Sequence, residues 1–182
     1  MIFRETAVAG VWIVDPEPHT DERGFFARTW CAREFAERGL SARFVQASVS
    51  HNPRRGTLRG LHYQAAPHAE AKLVRCTRGA VYDVALDLRP GSPTYRRHVA
   101  VVLDARSHRA LYIPEGCAHG FQTLEDDTDV LYQMSAFHAP EAARGVRWDD
   151  PAFAIPWPAA ERLISARDRA YPDFDAHHAV AR

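Results

Sequence analysis

Three stretches of this 182-residue chain hold side chains suited to proton transfer and anion binding. Arg54 to Gln64 reads R-R-G-T-L-R-G-L-H-Y-Q and sets Arg59 and His62 beside Gly56 and Gly60. A guanidinium grips two phosphate oxygens at once, an imidazole exchanges its proton near neutral pH, and glycine lets a backbone or ligand come close. The same residues would equally make a solvated basic turn with an incidental histidine. Ile113 to Phe121 reads I-P-E-G-C-A-H-G-F, so a Pro-x-Gly turn delivers His119 onto the start of a strand, as a reactive or a structural histidine. Lys72 and Tyr132 fall on two further strand candidates. If Lys72 points inward with Val74 and Cys76, the buried cation requires a counter-charge or an anionic ligand. On an edge strand it would simply be solvated.

The elements that must position these groups are mostly strands. Val81 to Leu88 alternates with period two, with Tyr82, Val84, Leu86 and Leu88 on one face and Asp83 and Asp87 on the other. That is the pattern of a half-buried strand with its aspartates outward. Lys72 to Thr77, His98 to Leu103 and Val130 to Phe137 are further strands, rich in Val, Tyr and Phe. Turn signals such as Arg89-Pro90-Gly91-Ser92-Pro93 separate them at intervals that suit an all-β sandwich or barrel. Ala32 to Arg38 is a short helix anchored by Phe35 and stopped at Gly39. The tail from Pro151 carries Pro156, Pro158 and Pro172, so it should wrap the strands in short turns. One domain over residues 1–182 is expected.

Composition narrows the function. Lys plus Arg and Asp plus Glu are both 23, so the chain lacks the basic field that non-specific nucleic-acid binding draws on. With 46% apolar and 25% charged residues it is ordinary globular material, and no run approaches a membrane span. The first ten residues carry Arg4 and Glu5 and no long apolar core, unlike a signal peptide. Cys31, Cys76 and Cys117 are odd in number and widely spaced, which fits reduced thiols in a cytoplasmic protein rather than a disulfide framework or a zinc ribbon.

The ordered motifs G-x-L-R-G-L-H-x-Q, K-L-V-R, D-V-x-x-D-L-R-x-x-S-P-T, I-P-E-G-x-A-H-G-F, the Tyr132 strand, R-W-D-D-P and S-A-R-D resemble the dTDP-4-dehydrorhamnose 3,5-epimerase family. The resemblance runs from Asp21-Glu22-Arg23-Gly24-Phe25-Phe26 to Asp168. It implies a cupin-type antiparallel β-barrel, or jelly roll, with a few short helices, usually in a homodimer with an exchanged N-terminal portion. It further implies epimerisation of a nucleotide-linked 4-keto-6-deoxyhexose at C3, C5 or both. By resemblance His62 is the general base, Asp168 the carboxylate that orients it, and Tyr132 the proton donor on the far side. Lys72 and His119 lie near the sugar, with Lys72 suited to stabilise the enolate oxygen. Arg59 and Arg23 match nucleotide and diphosphate contacts. Phe26, Arg28, Gln46, Ser48, His138 and Arg167 fall at further substrate-contact positions. Such chemistry needs a base, an opposed acid and an electrophile, and no cofactor or metal.

Several positions depart from the family pattern. Arg28 stands where the family commonly has Glu, Gln46-Ala47-Ser48 replaces Gln-Asp-Asn, His138 replaces a stacking Tyr, Arg167 replaces Lys, and Ser50 to Arg55 is one residue longer. An arginine accepts no hydrogen bond from thymine N3, so these changes point to a relaxed base preference, with a CDP-sugar as the first alternative carrier. A metal-dependent cupin using His62, His119 and Glu70 is a second alternative, weakened because Gln64 stands where the first cupin motif has its second His. A non-catalytic sugar-binding barrel is a third.

Overall fold

The computed structural model describes residues 1–174. Its first sheet is built from β1 (Ile2–Glu5), β2 (Trp12–Asp15), β5 (Gln46–Asn52), β7 (Lys72–Arg78), β10 (Ala110–Ile113) and β12 (Thr128–Met134), in the order β1-β2-β10-β7-β12-β5. The second contains β6 (Thr57–Gln64), β8 (Ala80–Asp87), β9 (His98–Asp104), β11 (Cys117–Thr123) and β13 (Ala143–Gly145), in the order β13-β6-β11-β8-β9. The short strand β14 (Leu163–Ile164) lies parallel to the start of β6, and every other pairing is antiparallel. Among the described residues a separate hairpin, β3 (His19–Asp21) and β4 (Gly24–Phe26), pairs only with itself. Among the described residues helix is confined to α1 (Ala32–Ala36), α2 (Ala166–Arg169) and one 3₁₀ turn, Pro140–Ala142. The expected all-β cupin class holds. Among the described residues no ladder joins the two sheets, so the jelly roll is an open sandwich rather than a closed barrel.

The apolar faces stack in layers. Val74, Cys76, Val81, Ala85, Leu111, Phe121 and Val130 fill the space between the sheets. On the outer face of the first sheet Phe35 is fully buried with Leu73 and Tyr112, so α1 is anchored as its sequence suggests and is stopped at Gly39 in the left-handed conformation. On the outer face of the second, Leu58, Leu61, Val84 and Leu86 are covered by Val146, Phe153, Trp157 and Ile164. The proline-rich tail therefore does wrap the sheet.

That wrapping reverses the expectation for β8. Tyr82, Val84 and Leu86 face the tail, while Asp83 and Asp87 share the inner face with Val81 and Ala85 and have no solvent exposure. A period of two separates two faces without saying which is solvated, and here neither is. Asp83 meets only His119, through Oδ1, and its buried Oδ2 has no partner among the described residues, whereas Asp87 is held more fully. Asp87 accepts from Arg89 Nε at 2.8 Å, Arg89 Nη2 at 2.8 Å and Thr94 Oγ1 at 2.7 Å, and so pins the turn after β8. Burial alone would raise its carboxyl, but Arg89, Ser92 and Thr94 hold it down to about 2, below the ordinary 3.8. A depressed carboxylate stabilises the fold above its unfolded pKa and loses that contribution as pH falls through its folded pKa. Asp87→Asn is thus expected to cost about 2 kcal/mol near neutral pH. In urea unfolding the gap from wild type should close toward pH of about 2, and a gap that persists there would point to lost packing instead.

Candidate active site

A cavity of about 570 Å³ lies between the sheets, lined by Arg59, His62, Lys72, His119, Tyr132, Arg167 and Asp168 among others. Arg59 and His62 are three apart on β6, a spacing that puts side chains on opposite faces of a regular strand. Both nevertheless line the cavity, because the β6–β11 register shifts between the His119↔His62 and Phe121↔Arg59 pairs. Gly60 sits within this irregularity at φ 129°, and a Cβ on it would meet Gly120 Cα at 2.5 Å. Here the close approach that glycine permits is strand against strand rather than backbone against ligand.

His62 Nε2 lies 2.7 Å from Asp168 Oδ1. Asp168 arrives on α2, whose N-cap Ser165 accepts from the Asp168 N–H at 3.1 Å, and the Gly60 N–H donates to its other oxygen at 3.3 Å. Burial works against ionisation of Asp168, yet the His62 contact and these bonds hold its carboxyl below the usual range. With Nε2 donating to that carboxylate, Nδ1 carries the lone pair.

Lys72 points inward from β7 with Val74 and Cys76, as its alternation allows. The burial penalty is met by Glu70 at 3.2 Å and by the His62 carbonyl, which accepts from Nζ at 3.2 Å. His119, paired in register with His62, turns Nε2 to the fully buried Asp83 at 2.8 Å. Its ring meets Tyr132 edge-on, with centroids 5.7 Å apart. Burial and the nearby Asp83 charge push the Tyr132 phenol far up, with Arg59 opposing them. Tyr132 comes from the first sheet and His62 from the second, so the two groups lie on opposite walls.

Sequence reasoning missed Asn52, Glu70 and Asp83 as supports. Asn52 is fully buried at the end of β5 and donates to the Ser50 and Thr128 carbonyls, both at 3.1 Å. Its Oδ1 therefore faces Arg59 and accepts from Nε at 2.8 Å, leaving the outer guanidinium nitrogens for a ligand. An Asn in a stretch lengthened by one residue was the available signal. His62, His119 and Glu70 are engaged with Asp168, Asp83 and Lys72, and among the described residues no group of three or more His, Cys, Asp or Glu could hold a metal. Gln64 fastens a loop instead, donating to the His68 and Phe137 carbonyls and accepting from the Ala139 N–H.

The remaining expected contacts are dispersed. His138 lines an adjoining cavity of about 220 Å³ that shares His62, Lys72 and Arg167 with the first, and its N–H donates to Gln46 Oε1. Ser48 is exposed on the edge strand β5, opposite Tyr132. Arg23, Phe26 and Arg28 line neither cavity of their own chain. Arg23 is bonded to Asp21 within the hairpin, Phe26 is 78% exposed, and Arg28 pairs with Glu34 at 3.1 Å.

Comparison with known proteins adds to this geometry. The family model described as dTDP-4-dehydrorhamnose 3,5-epimerase matches residues 5–176. The chain is 40% identical over 175 residues to a dTDP-4-dehydrorhamnose 3,5-epimerase of Sinorhizobium fredii, covering 96% of this chain and 90% of that one. Its fold is similar to the crystal structure of such an epimerase from Elizabethkingia anophelis, with a TM-score of 0.93, 36% identity and 96% of each chain covered. It is also similar to one from Bacillus anthracis with TDP and PPi bound, at a TM-score of 0.91 and 38% identity over 95% of this chain and 99% of that one.

Proposed function

The chain belongs to the dTDP-4-dehydrorhamnose 3,5-epimerase family, and from that premise we propose the roles of its cavity residues. It is a sugar-nucleotide epimerase for a nucleotide-linked 4-keto-6-deoxyhexose. His62 Nδ1 takes the proton from a carbon beside the C4 ketone, and the C–H electron pair moves onto the ketone oxygen. Lys72 faces that oxygen and stabilises the enolate, a contribution on the order of 10²–10³ in rate for one such donor. Tyr132 then protonates the same carbon from the other side, and solvent resets the imidazolium and the phenolate. The observation that carries this reading is the placement of an oriented imidazole and a protonated phenol on opposite sheets across one cavity.

Arg59, steadied by Asn52, and Arg167 suit the diphosphate. His138 is a flat ring at the mouth of the adjoining cavity and suits stacking on a base, with Gln46 and Ser48 nearby on β5. We read the protein as a single-domain homodimer in which the β3–β4 hairpin carries Arg23 and Phe26 toward the cavity of a second copy. In support, among the described residues that hairpin pairs with no other strand, and Phe25, Phe26 and the edge-strand Val49 are 52%, 78% and 63% exposed. A cytoplasmic location fits its three free thiols, and no described helix is long and apolar enough to cross a membrane.

The carrier we assign is dTDP. Arg28 is already engaged by Glu34, so the main sequence argument for a CDP-sugar weakens. The test supplies 4-keto-6-deoxyhexose on dTDP, CDP, UDP and GDP in deuterated water and follows label at C3 and C5. Label should enter at least about tenfold faster on dTDP, the worth of one buried hydrogen bond to the base. Equal rates on dTDP and CDP would restore the CDP reading, and no label on any carrier would end the epimerase assignment.

A further inference from the structure

Among the described residues the His62 ring is held by one side-chain hydrogen bond, at Nε2, and its side chain is 41% exposed. A single bond leaves the imidazole free to swing about it, and a misplacement of about 1 Å can cost about 10²-fold in rate. A second contact restrains it. Tyr171, two residues beyond α2, sets its ring edge-on to the imidazole, with centroids 6.2 Å apart and planes at 63°. The space for that ring is made by Gly145 on β13, which lies directly opposite His62 in the β6–β13 register. A Cβ on Gly145 would come within 2.2 Å of Tyr171 Cζ and 2.6 Å of its hydroxyl oxygen. Among the described residues the buried Tyr171 hydroxyl has no hydrogen-bond partner, so packing rather than the phenol's polarity holds the ring.

We propose that Tyr171 is a positioning residue for the base: it and Asp168, three residues apart on the C-terminal segment, fix the His62 imidazole from two directions, and Gly145 is glycine to admit the Tyr171 ring. This rests on His62 being the base. Tyr171 lines neither the cavity that holds Lys72 and Arg59 nor the one adjoining it, so its loss should act on turnover rather than on binding.

The test is a cycle of variants in the full chain, each checked by thermal unfolding and assayed for kcat and KM. Tyr171→Ala should lower kcat about tenfold and leave KM within about twofold. Tyr171→Phe should recover at least half of wild-type kcat, because the hydroxyl has no partner to lose. Gly145→Ala should mimic Tyr171→Ala by expelling the ring, yet add no further loss when combined with it. If Tyr171→Ala does not fold, Tyr171→Leu and Gly145→Ala read the same quantity. Wild-type kcat in Tyr171→Ala, or an equal Gly145→Ala penalty with and without Tyr171, would overturn the proposal. Failure of the base assignment is separate, since it would show as wild-type exchange in His62→Ala whatever Tyr171 does.

Discussion

His62→Ala is expected to abolish measurable deuterium entry into the 4-keto sugar, with a rate loss of about 10²–10⁴-fold, the contribution of one positioned base. Asp168→Ala should fall in the same range for a different reason. The imidazole stays, but the carboxylate that accepts from its Nε2–H at 2.7 Å and directs Nδ1 into the cavity is gone. Neither change should abolish nucleotide binding, because Arg59 keeps its Asn52 brace. Asp168 is held below the ordinary carboxylate range, so it stays ionised across neutral pH, and activity lost on mild acidification would not come from its protonation. Proton NMR in deuterated water reads the exchange and calorimetry with dTDP reads the binding. Wild-type exchange in either variant would remove the pair from the mechanism.

Tyr132→Phe should separate two events that wild type couples. The base still removes the proton, and Lys72 still faces the enolate, so label enters. The donor on the opposite wall is missing, so label returns from the side it left and the configuration is kept. Net inversion should drop about 10²-fold or more while exchange persists. The phenol is suited to this because burial and Asp83 keep it protonated until the enolate calls for its proton. Inversion at the wild-type rate would assign the acid to another group, with His119, 5.7 Å away between ring centroids, the first candidate.

Much of this site was legible before any coordinates. His62, Lys72, His119 and Tyr132 stood in ordered motifs, and alternation with Val74 and Cys76 left Lys72 either inward or on a solvated edge, of which the structure shows the first. What alternation could not disclose was which face of β8 is inside. Hydrophobicity is symmetric once a tail covers the second face, and so Asp83 and Asp87 read as solvated when they are buried. Nor could it disclose the register shift at Gly60, which overrides the two-residue period and lets Arg59 and His62 share a wall. The Asn52 and Tyr171 contacts are long-range or cross-strand meetings of residues without a motif of their own. Arg23, Phe26 and Arg28 matched the family pattern, yet a single chain leaves them outside its cavities, a matter of assembly that one-dimensional spacing does not carry.

The His62–Asp168 contact spans 106 residues of chain. During synthesis, His62 is available long before its carboxylate exists, by about 5–20 s at ordinary elongation rates. Ile164, which helps cover the outer face of the second sheet, and Ser165, which caps α2, lie within four residues of Asp168. One short segment thus completes both the hydrophobic cover and the partner of the imidazole. A chain elongated or clipped short of Asp168 would carry the cavity, the lysine and the phenol with an unoriented His62, so the expected enolate chemistry would wait for that segment.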